Sequence, residues 1–94
     1  MPDTVISEFM DEKAVFEGLA GLDVHYGPGL VDRPDELMRL VAGARALILR
    51  HRTRVRRPLL DVASDLRVIG RFGVGLDNID VDGCDARGIR VLFS

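Results

Sequence analysis

The sequence predicts an α/β fold built on one parallel β-sheet, and three features support this class. Short apolar segments alternate with segments whose apolar residues recur at helical spacing. One short segment, residues 46–49, is apolar at every position, which is typical of a central parallel strand covered on both faces. Glycine, proline and aspartate separate the segments, where turns and helix starts require them. The predicted order of elements is βαβαβαβαβ.

Five short strands are predicted. They are residues 4–7, residues 23–26, residues 46–49, a strand that begins with the apolar pair Val68 and Ile69, and residues 89–93. Alternation of strands with helices implies right-handed crossovers and a doubly wound parallel sheet. With five strands, we expect the flavodoxin-like strand order 2-1-3-4-5.

Four helices are predicted from start signals and apolar spacing. The start signals, in chain order, are Asp11, Pro34, Pro58 and Asp82. The apolar positions are Ala14, Val15, Leu19 and Leu22 in the first helix, Leu37, Leu40 and Val41 in the second, and Leu59, Leu60, Val62 and Ala63 in the third. The first helix is expected to end at Gly21 and the fourth near Gly88. Gly27, Pro28 and Gly29 predict a turn before the second helix.

Length and composition indicate one globular domain over residues 1–94. The hydrophobic fraction is 47%, the charged fraction is 30% and the formal net charge is -2, as in ordinary soluble proteins. The acidic N-terminus lacks the charge of a signal peptide, and no apolar run approaches the roughly 18 residues of a membrane span. We therefore expect a cytoplasmic protein without a membrane partner. Cys84 is the single cysteine, which excludes an internal disulfide and predicts a small buried residue; His25 is expected on a strand surface.

The middle of the chain is rich in arginine. No acidic residue lies between Glu36 and Asp61, whereas this stretch holds Arg39, Arg45, Arg50, Arg52, Arg54, Arg56 and Arg57. Nucleic-acid binding must therefore be considered. However, no aromatic residue is interleaved with these arginines, the net charge is negative, and no helix-turn-helix or zinc signature is present. We expect no nucleic-acid partner.

The segment 68–82, VIGRFGVGLDNIDVD, predicts a small-anion site. An apolar strand runs into a loop with glycines at positions 70, 73 and 75, which allow a tight turn that exposes peptide N–H groups. At the mouth of this loop, Arg71 offers a planar fork of donors for a carboxylate. An ordinary turn is the alternative interpretation of the glycines.

The predicted topology brings this loop close to other polar residues. In a parallel sheet, loops that leave the carboxyl ends of strands line one edge, and ligands bind there near the switch in strand order. Arg50 and Arg71, each predicted as the first residue beyond a strand, should face one cleft with the amides of Gly73, Val74 and Gly75. His51 borders this cleft, which suits a carboxylate or a phosphate. The alternative for the two arginines is solvation or a salt bridge to Asp77 or Asp80.

Other motifs in the chain are incomplete. The glycines of Gly73-Val74-Gly75 resemble the start of a dinucleotide fingerprint, but its third glycine is replaced by Asn78 and no helical periodicity follows. We therefore predict that this chain binds no NAD. Residues 78–83 resemble a calcium loop, but Ile89 stands where a glutamate is needed, so turn and cap roles are expected for Asn78, Asp80 and Asp82. No metal site and no catalytic residue are predicted.

Two segments resemble a known family. Residues 46–53, ALILRHRT, and 68–80, VIGRFGVGLDNID, followed by Ala-Arg-Gly-Ile at 86–89, resemble the N-terminal substrate-binding domain of D-2-hydroxyacid dehydrogenases, especially the phosphoglycerate dehydrogenase branch. The resemblance implies a flavodoxin-like domain and a small 2-hydroxy or 2-oxo acid as substrate. It implies substrate contacts for Arg50, Arg71, Val74 and Gly75, with His51 and Gly73 adjoining.

The resemblance also implies parts that these 94 residues do not contain. Family members carry a Rossmann domain that binds NAD and supplies a catalytic arginine, glutamate and histidine. Because hydride transfer requires a cofactor held against the substrate, we expect the chain by itself to be inactive and to form the amino-terminal portion of an enzyme. The alternative is a stand-alone flavodoxin-like binding module without catalysis, whose uncovered apolar surface would favour a homodimer.

Overall fold

The computed structural model describes residues 4–8, 24–50, 52–71 and 78–93. Its strands form a five-stranded sheet in the order β2-β1-β3-β4-β5, and every neighbouring pair is parallel. The strands are β1 (Thr4–Ile6), β2 (Val24–Tyr26), β3 (Ala46–Leu49), β4 (Val68–Arg71) and β5 (Arg90–Phe93). The predicted α/β class and the strand order 2-1-3-4-5 are therefore confirmed.

Three α-helices and one 3₁₀-helix connect the described strands. They are the 3₁₀-helix Pro28–Asp32, α1 (Pro34–Val41), α2 (Arg57–Val62) and α3 (Val81–Ala86). α1 and α2 each carry one proline within their first two positions. Its fixed φ suits a helix there, and its missing N–H loses no helical hydrogen bond. The predicted turn at residues 27–29 is instead the start of the 3₁₀-helix, which buries Leu30. The predicted helix that starts at Asp11 lies outside the described residues.

A cap role is predicted for both Asp80 and Asp82, and the structure confirms it for Asp80 only. Asp80, rather than Asp82, precedes the helix, and its Oδ1 accepts a hydrogen bond of 3.0 Å from the Gly83 peptide N–H. The two residues differ because a capping side chain must reach the N–H of the second or third helical residue, and Asp82 is already inside the first turn. After the helix, Gly88 adopts a φ of 72°, a left-handed conformation that glycine permits without steric cost.

The main core lies between the helices and one face of the sheet. Leu47, Leu49 and Ile69 are fully buried there against apolar residues of all three helices. On the opposite face, Ile6 is buried and Ile48 is partly buried. β3 therefore alternates between fully buried and partly buried side chains. The predicted cover of both its faces by helices stays a prediction, since the helix that starts at Asp11 lies outside the described residues.

Two single residues follow their predictions. Cys84 is fully buried in the core, where burial and the charge of Asp80 raise the pKa of its thiol despite the opposing effect of Arg87. It therefore acts as a small apolar residue. His25 is exposed on β2, as predicted. None of the helices in the described ranges combines the length and apolarity needed to cross a bilayer.

Candidate anion-binding site

The carboxyl ends of β1, β3 and β4 meet at one edge of the sheet. The register pairs Ile6 with Ile48 and Leu49 with Arg71, so these three strands end almost level with one another. The residues that follow β1 and β3 are therefore neighbours of the end of β4. Polar side chains at these positions are buried, which is unusual unless hydrogen bonds satisfy them.

The carboxylate of Glu8 holds the loop that follows β3. Its Oε2 accepts hydrogen bonds from the peptide N–H groups of Arg50 at 2.7 Å and Thr53 at 2.8 Å, and its Oε1 accepts one from Arg52 at 2.9 Å. The hydroxyl groups of Ser7 and Thr53 lie 2.8 Å apart in a further hydrogen bond. The side chains that follow β1 thus hold Arg50, Arg52 and Thr53, which we call the β3 loop.

The environment of Glu8 keeps it ionised. Its exposed fraction is 4%, and this burial alone would raise the pKa of the carboxyl. The peptide N–H and hydroxyl of Thr53, with the N–H groups of Arg50 and Arg52, stabilise the charged form and together lower the pKa below its usual value. The β3 loop is therefore built around a negative charge that belongs to the protein.

Asn78 connects the β3 loop to β4. Its Nδ2 donates to the carbonyl oxygens of Arg50 at 2.8 Å and Thr53 at 2.6 Å, and its Oδ1 accepts from Nε of Arg71 at 2.9 Å. Backbone hydrogen bonds hold this segment in place, from the Val55 N–H to the Asn78 carbonyl and from the Asp80 N–H to the Val55 carbonyl. One buried amide therefore orients both the loop and the guanidinium.

Arg71 is a buried cation. Its exposed fraction is 4%, Nε is bound to the Asn78 amide, and Nη1 is buried without a hydrogen-bond partner in the part of the chain that the structure describes. It is the last residue of β4, not the first residue beyond it, and Gly70 also lies inside the strand, paired with Ile48 and Leu92. Pairing with β3 and β5 extends β4 beyond its apolar residues. The loop after β4 therefore begins later in the chain than predicted.

The other predicted site residues are placed only in part. Arg50 is the first residue beyond β3, as predicted; its side chain is exposed, while Glu8 and Asn78 bind its peptide N–H and carbonyl. The network of Asn78 thus joins the backbone of Arg50 to the side chain of Arg71. His51, Gly73, Val74 and Gly75 lie outside the described residues.

The alternatives for Arg71 are also resolved where the residues are described. Arg71 is not solvated, and Asp80 is used as the cap of α3. Asp77 lies outside the described residues. Asn78 lies in a turn, as predicted, but its side chain caps no helix and instead binds two carbonyls and a guanidinium.

Four residues of this network escaped the sequence analysis as members of the site, namely Ser7, Glu8, Thr53 and Asn78. The available signal was position for three of them: Ser7, Glu8 and Thr53 lie within a few residues of the carboxyl end of a predicted strand, whereas Asn78 follows the glycine loop. Within the described residues, no group of histidine, cysteine, aspartate or glutamate could hold a metal ion. The arrangement is chemically suited to hold an anion against Arg71.

Comparison with known proteins identifies the family. The family model described as "D-isomer specific 2-hydroxyacid dehydrogenase, catalytic domain" matches residues 4–93. The chain is 53% identical to the (S)-sulfolactate dehydrogenase of Chromohalobacter salexigens over 92 residues, which cover 98% of this chain and 30% of the relative. It is 35% identical to a D-3-phosphoglycerate dehydrogenase of Archaeoglobus fulgidus over 89 residues, covering 94% of this chain and 16% of the relative.

A solved structure agrees with the fold. The D-lactate dehydrogenase of Aquifex aeolicus, complexed with NAD and lactic acid, matches with a TM-score of 0.80 and 22% identity, covering 97% of this chain and 27% of that one. The chain thus spans less than a third of the length of these three relatives. The resemblance inferred from the two motif segments is confirmed. The chain belongs to the D-isomer specific 2-hydroxyacid dehydrogenases and forms part of their catalytic domain.

Proposed function

We propose that this chain forms the wall of the active site that binds the acid group of the substrate in an NAD-dependent D-2-hydroxyacid dehydrogenase. One observation carries the proposal: Arg71 is 4% exposed, and its Nη1 is buried without a hydrogen-bond partner among the described residues. Burying a charge without a partner is costly, so a protein retains such a group where it is used. A bound carboxylate would supply the partner.

The strength of this interaction can be bounded. Hydrogen bonds to a charged group contribute roughly 1.5 to 3 kcal/mol when water is excluded. Arg71 is already oriented, because Asn78 holds Nε, and Nη1 has no hydrogen-bond partner among the described residues. A single wall of a cleft binds weakly, and we expect a dissociation constant on the order of millimolar for an acid on this chain alone.

The remaining predicted residues complete this wall. Arg50, at the end of β3, offers a second guanidinium, and His51 offers a hydrogen-bond donor beside it. The peptide N–H groups of Gly73, Val74 and Gly75 are proposed to hold the carboxylate that Arg71 neutralises. This assignment gives the two arginines different roles, since Arg71 is buried and Arg50 is exposed.

The relatives suggest a substrate class. The two relatives are named after the acids sulfolactate and 3-phosphoglycerate. Both are 2-hydroxy acids that carry a second strongly acidic group. We propose that this chain serves a substrate of the same class. Arg71 would bind its carboxylate, and Arg50 would bind its sulfonate or phosphate, for which an exposed guanidinium is suited.

We also propose that hydride transfer requires a cofactor domain beyond these 94 residues. No complete glycine-rich dinucleotide fingerprint is present in this sequence. The chain by itself would bind the acid and would not oxidise or reduce it, because its sequence lacks the complete fingerprint of a domain that would hold a nicotinamide against the reacting carbon.

The test is a titration of the isotope-labelled chain followed by NMR. (S)-sulfolactate, D-lactate and uncharged lactamide are added in turn, and we expect shifts of the Arg71 Nε–H and the Asn78 side-chain N–H signals with the two acids only. Sulfolactate should bind more tightly than lactate. Arg71→Met should abolish the response, whereas Arg33→Met, at an exposed position on the same chain, should not. Equal shifts with lactamide, or none with either acid, would refute the proposal.

A further inference from the structure

The β3 loop is itself an anion-binding nest that the protein has filled. The peptide N–H groups of Arg50, Arg52 and Thr53 converge on the two oxygens of Glu8 at 2.7 to 2.9 Å. Convergent backbone donors of this kind bind small anions in many proteins. Here the anion is a side chain that is 4% exposed, so these donors are not available to a substrate.

The shape that Glu8 imposes on the loop is transmitted to both arginines. With its N–H groups turned toward Glu8, the loop directs the carbonyls of Arg50 and Thr53 to the Nδ2 of Asn78. The same amide presents its oxygen to Nε of Arg71. A continuous series of hydrogen bonds thus runs from the end of β1 to the guanidinium at the end of β4.

We propose that Glu8 is a positioning residue for substrate binding: as an internal anion, it folds the β3 loop so that Arg50 and, through Asn78, Arg71 face the acid groups of the substrate. This inference rests on the proposed function, because it takes Arg71 as the anion ligand. Glu8 itself touches no substrate. It acts through the loop and through Asn78.

A carboxylate is needed at this position for a geometric reason. The three N–H donors of the loop need an acceptor at both carboxylate oxygens of Glu8. A glutamine has only one side-chain oxygen. Its NH₂ group would replace the other oxygen and place a donor against the N–H of Arg52 or Arg50. Glu8→Gln should therefore distort the loop even though its shape and size are nearly unchanged. Alanine leaves the nest empty and able to take up an anion from solution.

Simple electrostatics and positioning predict opposite results. Removing a negative charge near the site should tighten anion binding if Glu8 acts only through its charge. If Glu8 positions the arginines, its removal should weaken binding, and we expect about tenfold, which corresponds to ~1.4 kcal/mol. The sign of the change therefore distinguishes the two explanations.

The experiment compares the dissociation constant of (S)-sulfolactate for the wild-type chain, Glu8→Gln and Glu8→Ala. Glu36→Gln is the matched control, since it removes the same charge from a partly exposed site on α1 that pairs with Arg33. Sodium formate is then added to Glu8→Ala, and the peptide N–H signals of Arg50, Arg52 and Thr53 are followed. We expect weaker binding in both Glu8 variants, no change in Glu36→Gln, and return of the three signals toward their wild-type positions with formate.

Each outcome decides between the explanations. Unchanged or tighter sulfolactate binding by a folded Glu8→Gln chain would overturn the inference and leave the proposed function intact. If both Glu8 variants unfold and formate restores neither fold nor signals, Glu8 serves stability alone and the inference is also overturned. A wild-type chain that binds no sulfolactate would instead refute the proposed function, while the formate response would still report on the nest.

Discussion

The arginines of this chain occur in two contrasting environments. At the surface, Arg33 lies 3.3 Å from Glu36, Arg52 lies 2.7 Å from Asp32, and Arg87 lies 2.8 Å from Asp61, with these side chains at least a third exposed. At the sheet edge, Arg71 is 4% exposed, and its hydrogen-bond partner among the described residues is the neutral amide of Asn78. The arginines that form ion pairs are thus those that water already stabilises.

The contrast shows how solvent decides the meaning of a charge. Water screens an exposed ion pair, which typically contributes at most about 1 kcal/mol, so such pairs indicate little about function. A buried guanidinium has lost its hydration, and a hydrogen bond to a neutral amide compensates for only part of the lost stabilisation. The environment of Arg71, and not its residue type, is the reason for proposing it as the anion ligand.

The strongest way to break the buried arrangement is to remove Asn78. Asn78→Ala would leave the Arg71 Nε–H and the carbonyls of Arg50 and Thr53 without their partner in a buried place. We expect a loss of about 3 kcal/mol in the free energy of unfolding, since each unsatisfied buried group costs ~1 to 3 kcal/mol. Urea denaturation measures it. Ser64→Ala, at an exposed position, should change little, and an equally small effect for Asn78→Ala would contradict the network.

Replacing the buried cation tests its function rather than its contribution to stability. Arg71→Met keeps the apolar length of the side chain and removes the charge, so we expect binding of sulfolactate to weaken by roughly 10- to 100-fold. The free energy of unfolding should change little, because removal of a poorly paired buried charge is opposed by the loss of the donor to the Asn78 Oδ1. Calorimetry and urea denaturation give the two quantities. A strong loss of stability without loss of binding would show that Arg71 is structural.

Acidification should weaken the buried network through Glu8. The pKa of this carboxyl is lower in the folded chain than in the unfolded one, so the unfolded state binds the proton more readily. Its stabilisation is therefore complete above the unfolded pKa and is lost as the pH falls through the folded pKa. Denaturation curves of the wild type and Glu8→Gln should differ most near neutral pH and converge in acid. A difference that grows on acidification would have the wrong sign.

The surface pairs should respond least. Asp32→Asn removes the 2.7 Å pair with Arg52, in which both side chains are more than half exposed. We expect a change below about 1 kcal/mol in the free energy of unfolding. This change should be smaller still at roughly 0.5 M salt, because the Debye length is then only a few ångströms. Urea denaturation at two salt concentrations measures it. A large effect that is independent of salt would remove the contrast between the two groups of arginines.

Much of the fold follows from local patterns in the sequence. The apolar run at residues 46–49 and the prolines at 34 and 58 placed β3 and the starts of α1 and α2 within about a residue. These features act over a few neighbouring residues, so sequence reasoning captures them. The end of β4 was predicted too early, because Gly70 and Arg71 join the strand only through pairing with β3 and β5.

The candidate site was predicted less completely. Arg50 and Arg71 were selected because they follow apolar strands, and the topology brings their segments together through Asn78. Glu8 and Thr53 were not selected, because their partners are more than 40 residues apart in the chain. No local pattern reports a contact between loops that meet only when the sheet has formed.

The sequence by itself determined the elements, their order and the choice of Arg50 and Arg71, since periodicity, turn chemistry and strand ends are properties of neighbouring residues. Only the tertiary structure decided that Arg71 is buried, that Asn78 holds it, and that Glu8 fills the β3 loop. The physical reason is that burial and hydrogen bonding depend on which segments meet at the sheet edge. The same guanidinium would be an ordinary solvated cation if those strands ended elsewhere.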